Sequence, residues 1–196
     1  MKNYNKNLNL LTKNHVYSKE MEHDACGVGA IVSTEGKKSR IIVEYGIEAL
    51  KAVWHRGAVD ADGKTGDGAG IHLEIPKDFF IEKIEVTGHD YDNSEICVGM
   101  IFLPRNDYSA QESCKTIVES ELTKNNFSIY GWRQVPVNPK ILGQKALQTM
   151  PEIMQVLFKS NDKNLLDKDL ERKIYETRKK IENKAFQLSL NNFYIC

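Results

Sequence analysis

The chain has 196 residues, of which 41% are hydrophobic and 28% are charged, and its 27 basic side chains balance its 27 acidic ones. This composition is typical of a soluble globular domain, or of a piece of a larger protein. The absence of net charge gives no electrostatic reason to expect a nucleic acid or an anionic membrane as a partner. No apolar run approaches the roughly 20 residues that a membrane-spanning helix needs. We therefore expect neither a nucleic acid nor a membrane as a partner.

The first 25 residues form a polar leader that is rich in asparagine and lysine. The leader lacks the apolar segment of a secretory signal, so we expect a cytoplasmic protein, or one in a plastid or another organelle if the source is eukaryotic. The cysteines contain no CxxC pair, and without a secretory context they are expected to be free thiols. They are Cys26, Cys97, Cys114 and Cys196.

In the N-terminal half, the apolar run at residues 26–33 predicts a strand, which ends in a turn at residues 34–37. A helical stripe then runs from Ile42 to Trp54 and ends near His55. The glycine-rich residues 58–70 predict an irregular loop, in which aspartates are expected to cap turns. A short strand at residues 71–75 and a helix that opens at Pro76 follow.

In the C-terminal half, the pattern predicts strands at residues 96–103, 127–137 and 154–158, and a strand that begins at residue 192. Helices are predicted at residues 109–125 and 165–186. Because these elements lack a regular βαβ rhythm, they favour an α/β or α+β layered domain over a doubly wound nucleotide-binding fold. A chain that ends inside a strand is expected to be incomplete at its C-terminus.

The glycine loop at residues 57–70 fits none of three familiar binding motifs. Five residues separate Gly57 from the Gly63-Lys64-Thr65 triplet, whereas a P-loop needs four. The triplet of glycines that ends at Gly70 is one residue too short for a dinucleotide-binding turn. In a calcium loop, Lys64 would stand at a ligand position and repel the ion. The histidines show no helical pairing that would indicate a metal site.

Cys26 is the strongest catalytic candidate, because it follows the small residue Ala25 at the junction between the polar leader and the apolar run. Cleavage after Ala25 would give one residue both a thiol nucleophile and a free α-amine. An α-amine has a pKa near 8, so at neutral pH it is partly unprotonated and can serve as a general base. This pair of groups is suited to acyl transfer.

Three segments together resemble the class II glutamine amidotransferase domain of glutamate synthase large subunits. They are Cys26-Gly27-Val28-Gly29, Trp54-His55-Arg56-Gly57-Ala58, and the stretch from Asp60 through Asp62-Gly63-Lys64-Thr65-Gly66-Asp67-Gly68-Ala69-Gly70. The cysteine and the His-Arg-Gly triplet are shared by class II amidotransferases, whereas the glycine loop is similar to that of glutamate synthases. The specific signature covers residues 21–76, and the remainder of the chain is compatible with it.

The resemblance implies an α+β fold, the four-layer αββα sandwich of N-terminal nucleophile hydrolases, left incomplete at the C-terminus. It also implies that residues 1–25 are a propeptide and that residues 26–196 are the N-terminal part of the amidotransferase domain. Cys26 would be the catalytic nucleophile, with Arg56 and Gly57 as active-site support. The glutamine-carboxylate and oxyanion residues would lie beyond Cys196, so the chain alone is expected to be a weak or inactive glutaminase.

By the same resemblance, glutamine is the substrate, and its ammonia serves glutamate synthesis from 2-oxoglutarate. No cofactor is expected in this chain, whereas FMN and an iron–sulfur cluster are expected in the remaining synthase domains. Those domains would be its partners, and a small subunit is a further candidate partner. Two alternatives stay open: an amidotransferase domain that serves another acceptor, and a non-catalytic interaction module that uses the charged helix at residues 165–186.

Overall fold

The computed structural model describes Lys6, Leu10 and Lys13, and residues 27–53, 59–66, 68–162 and 164–196. The chain divides into two compact units, one formed by residues 1–58 and 67–71, the other by residues 59–66 and 72–196. Within the described ranges, no helix is both long enough and apolar enough to cross a membrane.

In the first unit, the main element is helix α1, Arg40–Ala52. It begins after Ser39, whose side-chain hydroxyl accepts a hydrogen bond from the backbone N–H of Ile41 at 3.3 Å. Such a cap satisfies one of the free N–H groups at the start of a helix, so Ser39 itself helps to fix where this helix begins. The prediction of a helix from Ile42 is confirmed.

The strand predicted at residues 26–33 is wrong for the part that the structure describes, because residues 27–33 have no strand pairing there. Val28 is 93% exposed, so its apolar side chain does not pack against a neighbouring strand. The strand predicted at residues 71–75 is wrong as well. Strand propensity reports the fit to a neighbouring strand, and an apolar run alone does not supply that neighbour.

In the second unit, the described residues form one antiparallel sheet in the order β2-β3-β1-β4. Its strands are β1 Cys97–Leu103, β2 Phe127–Gln134, β3 Glu152–Ser160 and β4 Tyr194–Ile195. The helices are α2 Lys77–Val86, α3 Tyr108–Lys124, α4 Gln144–Thr149 and α5 Asp167–Gln187, with a 3-10 turn at Pro139–Ile141. The strands and helices predicted for residues 96–196 are thereby confirmed, with small shifts of their ends.

The two faces of this sheet are covered differently. Helices α3 and α5 pack on one face, where the larger core includes Ile101, Val118 and Ile181. On the other face, α2 contributes Phe80 and Ile84 to a smaller core around Tyr130 and Leu157. Strand β1 alternates between these two faces, as a half-buried strand does.

The α+β class predicted from the sequence is confirmed by this sheet and its helices. The finer prediction of four layers needs a second sheet. The described residues provide one sheet, together with a single isolated bridge between Val59 and Gly66.

Candidate functional site

Cys26, Arg56 and Gly57, the three residues predicted for the site, lie outside the described residues. Of their direct chain neighbours, only Gly27, which follows the cysteine, is described. The last described residue before the arginine is Val53, the C-cap of α1, which stands three positions before it.

Gly27 and Val53 lie against each other within the first unit. A methyl group built on Gly27 would meet the Cβ and Cγ2 atoms of Val53 at 3.5 Å, which is ordinary van der Waals contact. Gly27 therefore lies against the C-terminal end of α1.

The glycine loop contains a tight turn between Val59 and Gly66, which pair as an isolated antiparallel bridge. Asp60 N–H donates to the Thr65 carbonyl at 2.7 Å, and Gly63 N–H donates to the Asp60 carbonyl at 2.9 Å. Gly63 has φ +68°, a left-handed conformation that glycine adopts without a steric penalty. These contacts bring the two ends of the turn together.

Asp62 organises the inside of this turn. One carboxylate oxygen, Oδ1, accepts backbone N–H bonds from Lys64 at 2.9 Å and Thr65 at 2.7 Å, and Oδ2 accepts from the Thr65 hydroxyl at 2.5 Å. These bonds favour the ionised carboxylate, so the Thr65 hydroxyl and the two backbone donors lower the pKa of Asp62 well below its usual range. The turn-capping role predicted for the aspartates is confirmed for Asp62. Asp67 lies outside the described residues.

The turn is docked on the segment that begins α4. The Lys145 ammonium lies 2.6 Å from Asp60 Oδ2, and the Ala146 N–H donates to Thr65 Oγ1 at 3.4 Å. Sequence reasoning did not find this contact, because Asp60 and Lys145 are 85 positions apart and neither carries a local pattern that indicates the other.

A second polar cluster lies beside an open cavity of about 620 Å³ on the β2 side of the sheet. There Asp92 accepts hydrogen bonds from the Tyr130 hydroxyl at 3.0 Å and from the Lys159 ammonium. Burial, followed by the Asp92 carboxylate, raises the pKa of Tyr130 above its ordinary value. These two contacts fasten Asp92, in the segment before β1, to strands β2 and β3 of the sheet.

The described residues contain no group of three or more His, Cys, Asp or Glu side chains that could hold a metal ion. Cys97 and Cys114 are buried in the sheet–helix core, and Cys196 is exposed. Burial raises the pKa of Cys97 to about 12 and that of Cys114 to about 11, so both thiols are protonated at neutral pH. Neither is a candidate nucleophile.

Comparison with known proteins places this chain in a family. The family model described as "Glutamine amidotransferases class-II" matches residues 26–196. The chain is 52% identical over 186 residues to the glutamate synthase [NADPH] large chain of Azospirillum brasilense. This alignment covers 95% of this chain and 12% of that protein. It is 41% identical over 162 residues to ferredoxin-dependent glutamate synthase 1 of Arabidopsis thaliana, and 38% identical over 177 residues to the spinach chloroplast enzyme.

The Arabidopsis match covers 82% of this chain and 10% of its relative, and the spinach match covers 89% and 11%. The chain thus spans about a tenth of the length of these relatives. The resemblance that the sequence motifs indicated is confirmed across nearly the whole chain. The chain therefore belongs to the family of class II glutamine amidotransferases.

Proposed function

We propose that this chain is the glutaminase part of a glutamate synthase, where it hydrolyses the side-chain amide of glutamine and supplies ammonia for glutamate synthesis from 2-oxoglutarate. The observation that carries the proposal is the 52% identity over 95% of the chain to a glutamate synthase large chain. Relatives named as glutamate synthases favour this acceptor over the other acceptors that class II amidotransferases could serve.

The proposed chemistry starts at Cys26. Its sulfur attacks the glutamine carboxamide carbon, while its own α-amine takes the thiol proton and passes it to the departing nitrogen. The C–N bond breaks, ammonia leaves, and a glutamyl thioester remains on the sulfur. Water then adds to the thioester, which releases glutamate and returns the proton to the thiol.

This chemistry requires removal of residues 1–25, because a peptide bond to Ala25 would leave Cys26 without a basic amine. The family match supports the cut, since it begins at residue 26. Arg56 and Gly57 are proposed as support for the nucleophile, the guanidinium ordering nearby backbone carbonyls. The contact between Gly27 and Val53 supports this arrangement, since Gly27 follows Cys26 directly and Val53 precedes Arg56 by three positions.

We also propose the four-layer sandwich for the complete domain. On the β1 face opposite α3 and α5, the side chains of Met100 and Phe102 are only half-buried, and Tyr194 of β4 is 59% exposed beside the Phe102 ring. An apolar sheet face needs a covering layer, because its burial is the main source of stability. A second sheet would supply it.

The remaining steps of the synthase are assigned to protein outside this chain. FMN and an iron–sulfur cluster would supply the reducing chemistry there, and a small subunit is a further candidate partner. No grouping among the described residues of this chain suits a metal cluster. We propose a cytoplasmic location, or an organelle stroma for a eukaryotic source, as the names of the plant relatives state for those proteins.

The proposal is tested on the full-length gene product purified from its own cells. We expect its N-terminus at Cys26, ammonia release from glutamine, and loss of both that release and affinity labelling by an electrophilic glutamine analogue in Cys26→Ser. Mass spectrometry of the labelled peptide provides the control, because Cys97, Cys114 and Cys196 should carry no label. A mature protein that retains Met1, or a Cys26→Ser variant with wild-type glutaminase activity, would refute the mechanism.

A further inference from the structure

We propose that the sheet face that carries Met100 and Phe102 docks a further layer of the longer protein, and that this layer presents a carboxylate to the guanidinium of Arg133. This inference rests on the four-layer sandwich proposed above, and it names the chemistry of the layer that would complete it. The residues that carry it all lie in the second unit.

A row of linked side chains crosses this face. The strand register pairs Arg133 of β2 with Gln155 of β3, and Gln155 with Met100 of β1. Side chains of directly paired residues stand on the same face of a sheet. Arg133 Nη1 donates a hydrogen bond to Gln155 Oε1 at 2.6 Å, and Gln155 Nε2 donates to Met100 Sδ at 3.2 Å. All three residues are half-buried, so solvent still reaches the row.

Helix α2 covers another part of this face, around Leu157. Near the row it provides the Phe79 ring, whose centroid lies 5.1 Å from the Arg133 Cζ atom. Ile153 and Phe102, which pair in the register, continue the face as half-buried apolar side chains. The open part of the face is thus an apolar surface with a cation at its β2 edge.

The guanidinium of Arg133 has hydrogen-bond donors to spare. A guanidinium carries five N–H donors and keeps its proton in proteins. Among the described residues, the Arg133 side chain donates to Gln155 alone and forms no ion pair, whereas Arg40 and Arg178 lie beside glutamates of their own helices. The Phe79 ring attracts the cation without neutralising its charge. Water must therefore satisfy the remaining donors while the face is open.

A layer that covers the apolar side chains would also take the Arg133 charge out of water. An unpaired buried charge is strongly destabilising, so such a layer must bring a partner for it. A carboxylate suits this position best, because its two oxygens match two parallel N–H donors and its charge neutralises the guanidinium. Charge complementarity thus predicts an Asp or Glu opposite Arg133, within an otherwise apolar contact.

We assign this layer to protein outside residues 1–196. The relatives leave ample length for it, since the alignment covers 12% of the Azospirillum brasilense protein. A second copy of the chain and another segment of residues 1–196 are the alternative occupants, and the test distinguishes them.

The test uses the full-length protein with Arg133→Lys, which keeps the charge and adds a reactive amine. The matched control is Arg172→Lys, at an exposed arginine of α5 on the other side of the sheet. A water-soluble carbodiimide joins an amine to a carboxylate in contact with it. We expect mass spectrometry to find the new lysine at position 133 joined to an Asp or Glu outside residues 1–196, and the new lysine at position 172 joined only to carboxylates of α5.

Acetylation by a soluble N-hydroxysuccinimide ester shows whether the face is covered. We expect the new amine of Arg133→Lys to react about tenfold more slowly than that of Arg172→Lys. Equal rates would overturn the four-layer proposal and this inference with it. A protected amine that forms no cross-link, or that cross-links only to residues 1–196 or to an isotope-labelled second copy, would overturn this inference alone.

Charge reversal provides a second measurement that does not depend on cross-linking. Arg133→Glu would place a carboxylate against the proposed one, and like charges in contact oppose docking. We expect the β1 amides to exchange hydrogen about tenfold faster in Arg133→Glu than in the wild type, and at the wild-type rate in Arg172→Glu. Unchanged exchange in Arg133→Glu would contradict a carboxylate at this position. A wild-type protein that releases no ammonia from glutamine would refute the proposed glutaminase but would leave these readouts of the sheet face intact.

Discussion

The carboxylate of Glu121 in α3 accepts a hydrogen bond from the ammonium of Lys184 in α5, and only 6% of the Glu121 side chain is exposed. Lys124 lies 3.6 Å from the same oxygen. The Lys184 partner lowers the pKa of Glu121, with burial acting in the opposite direction. This pair joins the two helices that cover one face of the sheet.

We expect Glu121→Ala to destabilise the protein by about 1.5–3 kcal/mol, the range for a hydrogen bond to a charged group. The cost should stay below that of breaking a fully buried pair, because both lysines can turn toward water. Urea unfolding followed by circular dichroism measures the change. Glu112→Ala is the matched control, since the Glu112–Lys115 pair on α3 is exposed and should contribute nothing measurable. Equal midpoints for the two variants would contradict the structural role of Glu121.

Gly99 in the central strand β1 leaves room for Val156 of β3, its partner in the register. A Cβ atom on Gly99 would lie 2.9 Å from Val156 Cγ1, and Val156 is buried. We expect Gly99→Ala to destabilise the protein by about 1–3 kcal/mol through overpacking. The same unfolding measurement should show that Val156→Ala, added to Gly99→Ala, recovers part of this loss. Strict additivity of the two single changes would show that they do not compete for space.

Helices α1, α3 and α5 could be predicted because their apolar residues recur with the helical period. Strands β1 to β3 could be predicted from short apolar or alternating runs. The failures have a different cause. Residues 27–33 and 71–75 carry strand-like residues, but strand formation depends on pairing with a distant segment that local sequence does not specify.

In the candidate site, too, contacts between neighbouring residues could be predicted, whereas contacts between segments distant in the sequence could not. The turn of Asp62 and Gly63 could be read from neighbouring residues, whereas its docking on Gly143 and Lys145 joins segments some 80 positions apart. The roles of Cys26, Arg56 and Gly57 came from motif resemblance and stay predictions.

Asp92 should make stability depend on pH. The Lys159 ammonium, with the Ser94 and Tyr130 donors, lowers the pKa of Asp92 in the folded protein, whereas the unfolded chain keeps a value near 3.9. A lowered folded pKa gives stability that is present above the unfolded pKa and is lost as the pH falls through the folded one. We expect Asp92→Asn to lower the unfolding midpoint at pH 7, and the difference from the wild type to shrink progressively as the pH falls below about 4.

Thermal unfolding of the wild type and Asp92→Asn across pH 2.5 to 7 checks this expectation. Lys159→Met should reduce the pH dependence in the same way, because it removes the main partner of the carboxylate. A difference between wild type and Asp92→Asn that is the same at every pH would mean that the Asp92 charge does not contribute.

The described thiols should differ sharply in reactivity. Cys97 and Cys114 are buried and their pKa values are raised to about 12 and about 11 by burial, whereas Cys196 is exposed. Since the thiolate is the reactive form, iodoacetamide at pH 7.5 should alkylate Cys196 in the native protein and reach the other two only on unfolding. Peptide mass spectrometry with and without 6 M urea measures the order. Native-state alkylation of Cys97 at the Cys196 rate would show that the sheet–helix core opens readily. If the order holds, then Cys97 and Cys114 are excluded as sites of a glutamine-analogue label in the native protein, and Cys26 and Cys196 remain as the candidate sites among the cysteines of this chain.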